Sequence, residues 1–290
     1  MLKDKARRGL RVLKGFLGGL KISVGDIGIE MSIDPEVGTA DSGLLEADLA
    51  ELFVVIAEAA KDGGTPVTLL IDELQYLEQS EFSALIMACH RIAQANLPML
   101  VIGAGLPQIA GLAGESKSYS ERLFTYPQIG ALERSDAIAA IVNPARNEGV
   151  HYADDALEEI LLTTERYPYF LQQWGHEAWN IADRETISLA NVKEATDAAI
   201  RKLDESFFRV RFDRCTPSER RYLRALAELG PGHHRSGDIA QVLGTKVTSV
   251  GPARSKLVKK GMIYSPQHGD NAFTVPLFDA YMRRVMPETP

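Results

Sequence analysis

The stretch VTLLIDELQYLEQSE, residues 67–81, decides the fold. Its apolar, branched beginning predicts a short strand buried on both faces, and Asp72 and Glu73 follow where that strand leaves the core. Upstream, LLEADLAELFVVIAEAAKDGG (44–64) has apolar residues at helical spacing and stops at Gly63-Gly64. Downstream, SEFSALIMACHRIAQAN (80–96) reads as a helix with Ser80 as its N-cap. LPMLVIGAGL (97–106) reads as a second buried strand ending in glycines. Strand, helix, strand at this spacing predicts a parallel sheet with right-handed crossovers. Function in such sheets gathers at the carboxyl ends of the strands, where Asp72, Glu73 and the turn 103–105 would all lie.

Composition bounds the rest. The chain has 290 residues, 45% hydrophobic and 24% charged, which fits a globular protein of two or three domains. Its apolar runs fall far short of the roughly 18 residues a membrane span requires. Cys89 and Cys215 are the only cysteines and lie far apart, so neither a disulfide framework nor a thiolate metal site is expected, and a reducing cytoplasm fits. The basic N-terminus MLKDKARRGLRVLKGFLGGL has no cleavage site and no clean apolar segment; it reads as a packed helix rather than a leader or membrane anchor. The net charge of −7 hides a split. Residues 1–200 carry 16 Lys/Arg against 30 Asp/Glu, and residues 201–290 carry 16 against 9, a basic module on an acidic body. That asymmetry is expected when one end meets nucleic acid.

A carboxylate at a strand tip suits Mg²⁺, which prefers oxygen ligands and keeps part of its water shell. A neighbouring glutamate can orient or deprotonate a water. The same short pattern also fits a strand that simply turns polar as it leaves the core. The wider order of elements adds to it: LLIDELQYL, then LPMLVIGAGLPQI one strand further on, then SYSERLFTYPQIGAL. From about residue 44 to the end the chain resembles the AAA+/STAND group of P-loop ATPases, and within it the bacterial and archaeal ATPases related to origin-recognition proteins. The resemblance implies that Asp72 and Glu73 are a Walker B pair, Asp72 for the metal and Glu73 for catalysis. It puts the first-sensor position at Ala104 and Gly105 and implies that Arg122 acts on a phosphate in cis or across an interface; an ion pair with Glu121 is the structural alternative. ATP and Mg²⁺ are the implied cofactors.

The domains expected are a partial α/β core over 1–131, a helical lid over 132–205 and a winged helix-turn-helix over 206–290. In the lid, RSDAIAAIVNPA, DDALEEILLTTE, PYFLQQWGHEAWNIA and LANVKEATDAAIRKLDESFF each show helical periodicity. RYPYFLQ (166–172) resembles the GxP motif of STAND lids, with Arg166 in place of the glycine; the resemblance sets Pro168 near the adenine, while Tyr167, Tyr169, Phe170 and Trp174 read as core. A P-loop, G-x-x-x-x-G-K-[ST], cradles phosphates with backbone N–H groups and supplies a lysine and a metal-binding hydroxyl. The nearest segment, GFLGGLKIS (15–23), departs from it: Leu20 stands before Lys21 and Ile22 displaces Ser23. It also precedes KISVGDIGIEMSID (21–34), which reads as a β-hairpin, whereas a P-loop follows a strand and opens a helix. In the family the P-loop lies upstream of where this sequence begins, so an N-terminally truncated core with little hydrolysis of its own is expected.

In the basic tail, TPSERRYLRALAEL opens with Thr216, Pro217 and Glu219, a capping box with proline at the first helical position. SGDIAQVLG is a short helix capped by Ser236 and stopped by Gly244, TSVGPARSKLVKKGM a third helix that Gly251-Pro252 is expected to break or delay, and MIYSPQHGDNAFTVP a hairpin turning at Gly269. This order, and KLVKKGMI before the hairpin, resembles a winged helix, whose third helix enters the major groove. Thr248, Ser249 and Arg254 are the base-facing candidates, with Lys246, Lys256, Lys259, Lys260 and His268 suited to phosphate. Many such modules contact proteins instead. His233, His234 and His268 lack metal-ligand spacing. The function expected is a nucleotide-switched regulator coupling the core to DNA, with a homo-oligomer or partner protein and no membrane. The alternative is a non-catalytic DNA- or protein-binding remnant that uses the α/β body as a scaffold.

Overall fold

The computed structural model describes residues 8–9, 11–14, 39–116, 120–183, 185–267 and 269–288. The segment 15–23, the hairpin expected over 21–34 and His268 lie outside them. The chain divides into two compact units, Met1–Pro127 and Gln128–Pro290.

In the first unit, helix α1 (Leu45–Gly63) ends at Gly64, whose φ of +67° is the left-handed conformation that glycine adopts without strain. Strand β1 (Val67–Ile71), helix α2 (Gln79–Gln94) and strand β2 (Met99–Gly103) follow as expected, and β1 pairs β2 in parallel with Ile71 opposite Gly103. The cap of α2 differs: the helix begins at Gln79, and the Glu81 carboxylate accepts the Glu78 N–H at 2.8 Å. Two short helices close the unit, α3 (Ile109–Ser116) and α4 (Ser120–Leu123). Ala50, Phe53 and Ala57 of α1 meet Phe82, Leu85, Ile86 and Cys89 of α2, and Leu69, Ile71, Met99 and Val101 pack against them. Contrary to the continuous apolar pattern, these strands are covered on one face only: Leu70, Leu100 and Ile102 are 72%, 56% and 49% exposed. Val12 is buried with Ala40 and Leu52, so the basic N-terminal helix presents an apolar side to the protein.

The second unit begins with α5 (Arg134–Asn147), β3 (His151–Tyr152), α6 (Asp154–Thr163), α7 (Pro168–Ile181), β4 (Thr186–Ile187) and α8 (Leu189–Leu203). A π-helical turn (Asp204–Phe208) carries α8 into α9 (Arg209–Asp213). Then come α10 (Pro217–Glu228), β5 (His234–Arg235), α11 (Ser236–Val242), α12 (Val247–Lys259), β6 (Ile263–Tyr264), β7 (Asp270–Phe273) and α13 (Phe278–Val285). The antiparallel order β5-β7-β6 puts the 263–273 hairpin against β5, with Gly269 at φ +84° in its turn. One continuous core, from Trp174, Phe170 and Leu203 through Phe208 to Tyr222, Leu226, Leu257 and Phe278, joins everything from α5 to α13. Thr216 caps α10 as the sequence indicates, its hydroxyl accepting the Glu219 N–H and its own N–H reaching the Glu219 carboxylate at 2.7 Å. Helix α12 runs unbroken through Pro252. Proline removes one helical donor, and burial of Val250 and Leu257 on either side holds the helix together.

Candidate functional site

The acidic pair sits where β1 ends. The Ala104 N–H donates to the Ile71 carbonyl at 2.8 Å and the Leu74 N–H to the Ala104 carbonyl at 3.0 Å, so the two strand ends stay laced beyond the sheet. Between them Glu73 takes φ +57° and ψ +38°, a left-handed backbone that is uncommon for a residue with a Cβ. Such a conformation persists only where the surroundings impose it, and it gathers at functional sites. The Glu73 N–H donates to Asp72 Oδ1 at 2.7 Å, which fixes that carboxylate. Both side chains are exposed.

Gln75, which the sequence did not single out, ties the tip together. Its amide donates to Glu73 Oε2, and its Oε1 accepts the Leu106 N–H at 3.1 Å across the gap between the strands. The glycines serve this contact. A Cβ on Gly105 would stand 2.5 Å from Gln75 Oε1 and 2.3 Å from Ile109 Cδ1, and one on Gly103 would stand 2.2 Å from Leu74 Cδ1. The small residues of G-A-G are therefore a packing requirement of the tip, and the only signal Gln75 left in the sequence. Ala104 offers no polar side chain to a phosphate. Two carboxylates side by side match what Mg²⁺ takes from a protein when phosphate and water complete its shell. Among the described residues no group of three or more His, Cys, Asp or Glu could hold a metal unaided. Arg122 is exposed on α4, with no ion pair among the described residues.

In the second unit, Pro168 is the first residue of α7, and the turn before it is strained. Glu165 and Arg166 take φ +50° and +57° in succession. Arg166 thus adopts the backbone that the glycine of the resembling motif would adopt freely. The buried Thr164 braces the turn, its hydroxyl donating to the Ile160 carbonyl at 2.6 Å and accepting the Arg166 N–H at 3.3 Å. The Arg166 carbonyl accepts the Leu132 N–H at 3.1 Å, and its guanidinium has no partner among the described residues. Burial, with the charge of Asp279 beside it, pushes the Glu165 carboxyl above its ordinary range. Phe170 and Trp174 are core, Tyr167 packs on Phe170 at 4.9 Å, and Tyr169 stacks on Phe207 at 4.8 Å.

The basic tail separates its cations into two sets. Arg254 Nε donates to Asn271 Oδ1 at 2.7 Å, and its terminal nitrogen to Ser265 Oγ at 2.9 Å, tying α12 to the hairpin. Lys260 donates to Glu219 Oε2 and to the Arg214 carbonyl, both at 2.7 Å. Both cations were DNA-contact candidates, and in the fold both have internal partners that sequence cannot show. Lys246, Lys256, Lys259, Thr248 and Ser249 stand exposed along α12 and its start. His233 Nδ1 lies 2.8 Å from Asp270, and His234 Nε2 lies 3.1 Å from the Gly230 carbonyl. Burial pushes the Cys89 thiol up to about 11 and raises that of Cys215, so neither is a nucleophile at neutral pH. No helix among the described residues is long and apolar enough to cross a membrane.

A family described as a domain of unknown function (DUF8462) matches residues 205–282. No curated protein matches the chain. Among solved structures, the Walker-type ATPase PABY2304 of Pyrococcus abyssi superimposes with a TM-score of 0.60 at 15% identity, covering 93% of this chain and 75% of that one. The fold is P-loop ATPase-like. The RuvB Holliday junction branch migration motor of Thermotoga maritima gives 0.43 at 16% identity over 86% of each chain. Cdc6p of Pyrobaculum aerophilum gives 0.38 at 13%, over 82% and 70%. At such scores neither adds to the assignment, which rests on the first.

Proposed function

We propose that the protein is a nucleotide-responsive DNA-binding regulator of the AAA+/STAND kind. The observation that carries this is the Asp72–Glu73 tip, exposed at the carboxyl end of a parallel strand and braced across to β2 by Gln75, on a P-loop ATPase-like fold. Asp72 would hold the Mg²⁺ of a bound ATP, and Glu73 would orient a water toward the terminal phosphate. The ion supplies charge neutralisation at the phosphates. The strained turn at Arg166, with Pro168 after it, is where the lid would meet the nucleotide base. The sequence contains no G-x-x-x-x-G-K-[ST], so this chain would bind nucleotide weakly and turn it over poorly by itself. Arg122, exposed on a short helix, suits action across an interface between copies.

Helices α10, α11 and α12 with the β5-β7-β6 sheet form the winged helix of this proposal. Thr248 and Ser249 would face bases, and Lys246, Lys256 and Lys259 phosphates. Arg254 has a different part: by bonding Ser265 and Asn271 it sets the hairpin against the recognition helix. The test is the affinity of the full chain for duplex DNA with and without Mg²⁺·ATP. Linkage requires that a nucleotide switch change that affinity, and that Asp72→Asn abolish the change. DNA affinity identical in the two conditions leaves the α/β body as a scaffold.

A further inference from the structure

Between α10 and α12 lies an open cleft of about 210 Å³, lined among others by Ser218 and Arg221 of α10 and by Thr245, Ser249 and Val250 at the start of α12. At about 30 Å³ of liquid volume per water, it has room for a tetrahedral oxyanion and several waters. Its floor is apolar and its rim polar, and no acidic side chain lines it. The Arg221 guanidinium and the Thr245 and Ser249 hydroxyls are exposed and have no hydrogen-bond or ion-pair partner among the described residues. Tyr222 also lines the cleft; it is 1% exposed, and its hydroxyl is buried without a partner. Buried polar atoms are nearly always satisfied, so an orphan hydroxyl beside an open, acid-free cleft points to a polar group arriving from outside.

The neighbouring cations sharpen the point. Arg254 and Lys260 are engaged internally, as are Arg224 with Glu228 and Arg283 with Asp279. Arg221 is not, and Lys246, next in the chain to Thr245, is free as well. An unengaged guanidinium facing three hydroxyls is the donor set that fixes a phosphodiester without reading sequence.

We propose that this cleft receives a backbone phosphate of double-stranded DNA, with Arg221 supplying the charge and Ser218, Thr245 and Ser249 the hydrogen bonds. The first helix of the module, and not only the third, then contacts the duplex. This rests on the DNA-binding reading of the winged helix.

The experiment is fluorescence anisotropy of the full chain on two unrelated duplexes, each titrated at salt concentrations between about 50 and 200 mM. Arg221→Ala is expected to weaken both duplexes alike, by about tenfold, and to lower the slope of log affinity against log salt by about one. Arg221→Lys is expected to keep the slope. An exposed, unbonded side chain leaves the melting temperature unchanged, so loss of fold is separately visible. Wild-type slope in Arg221→Ala overturns the proposal, and so does a loss confined to one duplex, which would mean base readout. Inorganic phosphate at fixed ionic strength is the second probe. If it stabilises the wild type but not Arg221→Ala while the DNA slope stays the same, the cleft is a free-anion site and the proposal is wrong. If Lys259→Ala lowers the slope and Arg221→Ala does not, the winged helix still binds DNA and only the cleft assignment falls. A wild type that binds neither duplex overturns both.

Discussion

Gly105→Ala tests whether the acidic tip is built as described. The added Cβ would stand 2.5 Å from Gln75 Oε1, 2.3 Å from Ile109 Cδ1 and 3.2 Å from the Leu74 nitrogen. The first two atoms end flexible side chains and can swing away, but Gln75 then releases the Leu106 N–H, at about 1 kcal/mol. Repacking Ile109 adds roughly 1–3 kcal/mol, as overfilled sites do. The Leu74 nitrogen cannot retreat without stretching its bond to the Ala104 carbonyl. A loss of about 2–4 kcal/mol follows, large against the 5–15 kcal/mol of a typical domain. Equilibrium urea unfolding followed by far-UV circular dichroism reads it. Trp174 and Trp179, the only tryptophans, both lie in the second unit, so the fluorescence transition should hold still while the dichroism transition moves. In Gln75→Ala the same glycine change should cost about 1 kcal/mol less, because the bond is already gone. A Gly105→Ala protein within about 0.5 kcal/mol of wild type, or strict additivity with Gln75→Ala, would refute the brace.

Lys260→Ala should destabilise the second unit by about 2–3 kcal/mol in tryptophan-monitored unfolding, because it strands the Glu219 carboxylate, which is 1% exposed. Burial alone would raise the Glu219 pKa, but the bonds from Lys260 and Thr216 outweigh it and hold the group below its ordinary value. Its stabilisation is therefore present above the ordinary carboxylate range and lost as pH falls through the depressed folded value; urea midpoints should drop on acidification, and less so in Glu219→Gln. Arg166→Gly should raise the melting temperature, since glycine relieves a left-handed backbone worth roughly 1–2 kcal/mol. Arg254→Ala should loosen the hairpin, seen as faster amide exchange at Asp270 and Asn271, with the salt dependence of DNA binding unchanged.

The backbone of this account was legible in the chain. Apolar runs ending in Asp72 and in Gly103 showed two parallel strands, and Thr216-Pro217 with Glu219 showed where α10 begins, because these signals are local. What sequence left dark is side-chain partnership across the fold. Gln75 meets Leu106 31 residues away and Lys260 meets Glu219 41 away, distances at which no spacing rule operates. For that reason two of the cations counted toward DNA proved to have structural partners. Helix α12 tolerated Pro252 because tertiary burial outweighed one missing bond, and the exposed faces of β1 and β2 show that an apolar run alone does not reveal how many layers cover a strand.

The most direct test of the central claim is paramagnetic broadening by Mn²⁺ substituted for Mg²⁺, recorded on the amide resonances of the full chain with ATP present; it registers even the weak binding expected here. The account predicts broadening centred on Asp72, Glu73, Ala104 and Gly105 that requires ATP and vanishes in Asp72→Asn. Broadening centred elsewhere, or unaltered by Asp72→Asn, would contradict it.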